Sequence, residues 1–190
     1  MVKELSDISD SGTILIDSSV LVYVHGMLFP PEAFVRYYKQ NRYINTVGGL
    51  LSAKRTLVTT WLNVMEVMSV HERYMYRNYL ALSTPELAES DFSIKEYRRN
   101  PEQRRTVENE LKRMLNEMKQ YYTIVSADIN EVSVDRYIDT YSQHIYDPND
   151  FSVLEEMISR DITEVLTDDA DFRVDARLSV YTISRVPNHY

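Results

Sequence analysis

The chain has 190 residues, and its net charge of -8 is local: residues 147–175 hold ten acids and two bases, while the other 161 residues carry 19 of each. One acidic segment on a neutral body reads as a solvated face or a site that wants cations, and 44% hydrophobic residues with only 4 Gly and 6 Pro exclude disordered and fibrous classes. Cys is absent, which excludes disulfide scaffolds, zinc-thiolate sites and thiol catalysis; with no apolar signal segment and no apolar run of about 18 residues, the expectation is a cytoplasmic protein with no membrane contact.

Residues 1–12 are polar and read as a flexible leader, followed by one domain over 13–190, since the length leaves no room for a second core. "TILI" (13–16) is a buried strand that runs into Asp17. The stretch after Asp17 is helical up to the Pro30–Pro31 break, and "EAFVRYYKQNRY" continues as helix. "TLVTT" (56–60) is a second strand, leading into a long helix from Trp61 to Leu82. "STPELAESDFS" connects to a helix from Pro101 to Tyr121, whose Val107, Leu111, Met114, Leu115 and Met118 form an apolar stripe. "YTIVSA" (122–127) is a third strand, residues 128–141 a further helix, and "DPNDFSVLEEMISR" a helix opening near Pro148. "EVLT" and "LSVYTI" close the chain as short strands. Short strands, apolar on both faces and alternating with helices, predict an α/β class: a three-layer α/β/α sandwich with a mainly parallel sheet.

Ligand sites in such folds lie outside the carboxyl ends of the strands, and acids fall there. Asp17 ends the first strand, although a helix N-cap explains an isolated Asp equally well. Glu66 sits amid Trp61, Leu62, Val64, Met65, Val67 and Met68. A carboxylate beside an apolar stripe is costly unless it reaches solvent, pairs with a base such as Arg73, or binds a cation. Asp147 and Asp150 stand at a helix start, where the helix dipole alone favours acids. "LTDDADF" puts Asp168, Asp169 and Asp171 within four residues after a strand, a cluster that repels itself and calls for a counter-charge. Oxygen donors without Cys or paired His select Mg²⁺ or Mn²⁺ over zinc; none of His25, His71, His144 and His189 has a metal-ligand spacing.

"TILIDSSVLVYV", "TTWLNVMEVMSV", "DPNDFSVLEEM" and "EVLTDDADF", in that order, resemble the PIN-domain ribonucleases, especially the toxin subunits of toxin-antitoxin pairs, over about residues 13–183. The resemblance implies a PIN-like fold and an Mg²⁺- or Mn²⁺-dependent endoribonuclease acting on single-stranded or structured RNA. It carries the four catalytic and metal-binding acids onto Asp17, Glu66, Asp150 and Asp169, an auxiliary metal acid onto Asp171, and the neighbouring hydroxyls onto Ser19 and Thr167. Two choices stay open, Asp147 against Asp150 and Asp168 against Asp169. An antitoxin protein is a partner implied by the resemblance only.

A basic rim for RNA has its candidate between Lys95 and Lys119, where eight bases including Arg98, Arg99, Arg104 and Arg105 face five acids. A solvated helix face laced with i to i+4 ion pairs is the favoured reading of that stretch. Among the 15 Tyr, Tyr74, Tyr76 and Tyr79 could stack bases, but a homodimer surface or the edge of the core is favoured. Two competing functions are a haloacid-dehalogenase-type phosphatase, in which an acid would stand where this chain has Ser19, and a catalytically silent PIN-like binding module.

Overall fold

Each predicted strand sends successive side chains to opposite sides. Ile14 and Ile16 pack in one apolar cluster and Leu15 in another; Leu57 and Val58, Leu166 and Val165, Tyr181 and Val180 divide the same way. That two-residue period with apolar residues on both sides is the signature of a sheet covered on both faces. The computed structural model bears this out and describes residues 2–9, 11–26, 33–83, 92–127, 130–143 and 145–183. The Pro30–Pro31 break, most of the connector after Ser83, Asp128, His144 and His189 lie outside the described residues.

The strands are β1 (Val2–Glu4), β2 (Thr13–Ile16), β3 (Thr56–Thr60), β4 (Thr123–Val125), β5 (Glu164–Leu166) and β6 (Ser179–Thr182). They form one sheet in the order β1-β6-β5-β2-β3-β4, and every pairing is parallel. The helices are α1 (Ser18–Leu21, continued by a π-helical turn over Val22–Gly26), α2 (Phe34–Ser52), α3 (Trp61–Ser83), α4 (Ile94–Arg99), α5 (Pro101–Tyr121), α6 (Glu131–Thr140) and α7 (Pro148–Ser159). Residues of α1, α2, α3 and α5 cover one face of the sheet, and α7 with Tyr137 of α6 the other. The architecture is the α/β/α sandwich expected, with a sheet that is wholly parallel among the described strands.

One expectation needs correction. The stretch read as a leader contains β1, which pairs with β6 at the sheet edge, and Leu5 just after it is buried. The run is too short and polar to announce itself; its order comes from backbone bonds to a strand near the other end of the chain. The buried Arg55 adds a tie by donating to the carbonyl of Ser9 (2.6 Å).

Local rules place the helix ends. Asn100 caps α5 by accepting from the N–H groups of Glu102 and Gln103, with Pro101 in the first helical position. Asp147 and Pro148 do the same for α7. Ser93 and Glu96 form a capping box that starts α4, a short helix just past the connector. Tyr76, Tyr79 and Tyr97 cluster beside it with centroids 5.3–5.6 Å apart, so two of the three tyrosines of the "RYMYRNYLAL" stretch help build a small core of their own.

Candidate functional site

The strand order reverses at β2. From β2 the chain steps through β3 to β4, then crosses the other face by α6 and α7 to return at β5, on the opposite side of β2. Such a switch point leaves a crevice at the carboxyl ends of the two strands between which it falls. Asp17 follows β2 directly, and Thr167 to Asp169 follow β5. The backbone stitches these two ends together: the N–H of Asp17 donates to the carbonyl of Leu166 (3.1 Å).

Asp17 is 3% exposed and is held by hydroxyls. Its Oδ2 accepts from Ser19 Oγ (2.6 Å) and from Thr167 Oγ1 (2.7 Å). Burial pushes its carboxyl above the ordinary aspartate range, against the pull of those two donors. Asp17 also caps α1 through the N–H of Ser19 (3.4 Å), so the helix-cap reading and the site reading describe one side chain. Thr167, fully buried, is shared: its Oγ1 accepts from the N–H of Asp169 (2.9 Å) while donating to Asp17.

The three aspartates after β5 separate in role. Asp168 accepts from Lys39 Nζ (2.6 Å) and from the hydroxyl of Tyr43 (3.1 Å), both on α2. Asp169 keeps its place beside Thr167, and its Oδ1 accepts from the N–H of Asp171 (2.9 Å), which begins a short 3-10 turn. The counter-charge that the cluster calls for is therefore supplied to one member of it, Asp168, by Lys39. No local signal marks Lys39 or Tyr43 for this, since they lie 129 and 125 residues upstream.

A similar division occurs at the start of α7. Asp147 is exposed, and its Oδ1 accepts from the N–H groups of Asn149 (2.8 Å) and Asp150 (2.9 Å). Asp150 is half-buried, and its carboxyl is pushed up to about 7, first by burial and then by the charges of Asp147, Asp17, Asp169 and Glu66. Three of the acids matched by the sequence motifs thus act on the fourth, Asp150, from separate segments of the chain. Glu66 joins them from an exposed position on α3 and is not buried in the apolar stripe beside it.

The donor chemistry, carboxylate and hydroxyl oxygens without sulfur, suits a hard divalent cation such as Mg²⁺ or Mn²⁺. Among the described residues, however, no group of three or more acid or imidazole side chains is gathered closely enough to hold an ion as the side chains stand. The acids share a field without sharing a point.

The basic stretch behaves mostly as a solvated face. Arg98 is bound by Glu72 of α3 (Nε–Oε1 2.7 Å), Lys112 pairs with Glu108, and Arg113 with Glu110 and Glu117. Arg99, Arg104 and Arg105 are exposed.

Fold and site together define a parallel α/β protein with acidic side chains at the carboxyl ends of the strands beside its topological switch point. No family model and no curated protein matches the sequence. Among solved structures, the chain is similar to the crystal structure of VapBC2 from Rickettsia felis bound to a DNA fragment from their promoter, with a TM-score of 0.49 and 11% identity over 90% of this chain and 98% of that one. Among the described residues no helix is long and apolar enough to cross a membrane.

Proposed function

We propose that the protein is a PIN-like ribonuclease, a hydrolase that cuts phosphodiester bonds of single-stranded or structured RNA with Mg²⁺ or Mn²⁺ at the acidic crevice. One observation carries the reading: Asp17, Asp150, Asp169 and Glu66 come from four segments far apart in sequence, and beside the switch point Asp17, Asp169 and Glu66 stand near enough to Asp150 for their charges to raise its carboxyl. A chain selected only for stability has little reason to assemble repelling carboxylates there, and acids perturbed in this way cluster at functional sites.

Asp17, Asp150 and Asp169 are the acids we assign to hold the ion, with Glu66 reaching in from α3 and Asp171 auxiliary. When bound, the ion would supply an acidified water and neutralise charge that builds up on the phosphate. Ser19 and Thr167 fix the carboxylate of Asp17 in one orientation through Oδ2. Lys39 and Tyr43 hold Asp168 away from this duty, and Asp147 is engaged as a helix cap, so Asp169 and Asp150 are preferred in the two open choices. A set of bare carboxylates repels an RNA backbone, so RNA binding should itself depend on the cation. A cytoplasmic location, an antitoxin-type protein partner and a homodimer belong to this reading through the sequence resemblance and composition.

The purified chain incubated with single-stranded RNA should produce cleavage in Mn²⁺ or Mg²⁺, none in EDTA, and none for Asp17→Asn, which keeps the shape of the side chain. Release of phosphate from small phosphomonoesters with RNA left intact would instead select the phosphatase. A second reading, the catalytically silent binding module, draws on the spacing of the acids, which gathers no three around one point among the described residues. Metal-dependent RNA binding without cleavage in any divalent cation would select it.

A further inference from the structure

Beside the acidic crevice, on the α6–α7 side of the sheet, lies a separate hollow of about 450 Å³, within the range of roughly 300–1,000 Å³ usual for small-ligand sites. Tyr146, Phe151 and Leu154 line it with buried apolar surface. Tyr146 directly precedes Asp147, and Phe151 directly follows Asp150, so the hollow is built from the segment that brings two of the acids to the crevice. The Tyr146 ring packs on that of Phe172, the residue after Asp171, with centroids 5.6 Å apart.

Two guanidinium groups stand at its walls. Arg136 of α6 pairs with Glu155 of α7, and Arg177 is held in two-point contact by Asp175 (Nη2–Oδ2 2.6 Å, Nε–Oδ1 2.9 Å). Their side chains are nonetheless 57% and 60% exposed. Two cations matched by two carboxylates leave the hollow without net charge, and a phosphate would have to displace Glu155 or Asp175 to be bound there. A flat neutral group meets no such competitor. Guanidinium planes pinned by carboxylates offer stacking surfaces, and the Gln143 amide in the wall offers both donors and an acceptor.

We propose that this hollow receives a single unpaired base of the substrate strand, close to the bond presented to the acidic crevice. The assignment rests on the ribonuclease reading for the strand's presence and makes Arg136, Gln143 and Arg177 the residues that position the base. It also moves the RNA-contacting cations from the stretch around Arg98 to Arg105 to two arginines outside it. Unstacked bases held against arginine planes and read on their edges are a usual means of single-stranded RNA recognition.

The test uses the full chain and short single-stranded RNAs in which one abasic residue is walked along the strand, with affinity read by fluorescence anisotropy in Ca²⁺ and cut position read separately in Mn²⁺. At one register, loss of the base should weaken binding about tenfold. In Gln143→Ala and Arg177→Ala that register should lose its sensitivity, with the intact RNA binding about tenfold more weakly than to the unaltered chain. Gln143 is exposed, so its removal leaves the fold intact even if Arg177→Ala unsettles Asp175. A base-dependent register that disappears in the variants, found without cleavage in Mn²⁺, keeps the pocket and removes the nuclease. Cleavage with no sensitive register, or with a register unchanged in both variants, overturns the pocket and keeps the nuclease, and absence of any RNA binding overturns both.

Discussion

Thr167 joins the two strand ends of the crevice through one oxygen, which donates to Asp17 Oδ2 and accepts from the N–H of Asp169. Thr167→Val keeps the volume and removes both bonds, leaving a buried carboxylate short of a donor and a backbone N–H without this acceptor. Stability in urea should drop by about 1–3 kcal/mol, and cleavage should fall with it because Asp17 loses its orientation; an unchanged denaturation midpoint would sink the account. Asp147 and Asp150, at the same helix start, should respond in opposite directions. Asp147→Ala removes a helix cap and should cost about 1 kcal/mol while cleavage persists. Asp150→Asn relieves repulsion from Asp147, Asp17, Asp169 and Glu66 on a half-buried group. In EDTA it should therefore stabilise the protein by about 1 kcal/mol, solvent on the open side screening the rest, and it should abolish cleavage. Paired thermal melts and RNA assays on the two variants decide between them.

At the level of elements, the middle of the sheet is β2, flanked by β5 and β3 and covered on both faces. Leu15, fully buried, packs against the α7 side, while Ile14 and Ile16 pack against the α1, α2, α3 and α5 side. Leu15→Ala should cost about 2–5 kcal/mol in equilibrium unfolding, and because Asp17 follows closely, a loosened strand end should also reduce cleavage. A loss below about 1 kcal/mol would mean that α7 collapses freely onto the sheet. The π-helical turn over Val22–Gly26 has a packing consequence of its own: it carries His25 into contact with Tyr122 at the end of α5, where its Nε2 meets the Tyr122 hydroxyl (2.8 Å).

Across the whole molecule, pH acts through groups in different layers. His71 of α3 is buried, and that burial pushes its pKa below the ordinary value; Glu110 pulls it up and Arg113 pushes it down. The folded state thus takes up a proton at lower pH than the unfolded chain. The stability tied to neutral His71 is complete above about 6.5, the unfolded value, and is lost as pH falls through the folded one. Buried Asp17 and half-buried Asp150, both raised, contribute with the opposite sign, so the total profile mixes the two trends. The difference between the unaltered chain and His71→Gln isolates the histidine: the advantage of the unaltered chain should shrink from about pH 7.5 to about pH 5.5 in urea titrations. A gap that widens on acidification would mean that His71 is charged in the fold and paired with Glu110.

Much of this is legible along the chain because it depends on near neighbours. The short apolar strands, the stripe of α5, the Asn-Pro and Asp-Pro helix starts and the position of Asp17 and Asp169 just after strands are short-range patterns, set by backbone geometry and by the periodicities of strand and helix. Charge counting points at the segment from Asp147 to Asp175 but does not single out Asp17 and Glu66, which lie in the remainder of the chain, where bases and acids balance overall. Which acid does what is decided only in three dimensions. Lys39 and Tyr43 claim Asp168, two backbone N–H groups claim Asp147, and β1 is ordered by β6; each partner is fixed by the crossing of the chain or by the turn of a helix end. Local propensity can put a carboxylate at a strand end, but the field it feels depends on which distant segments the topology brings beside it, and that is a property of the packed sheet and its two helical layers.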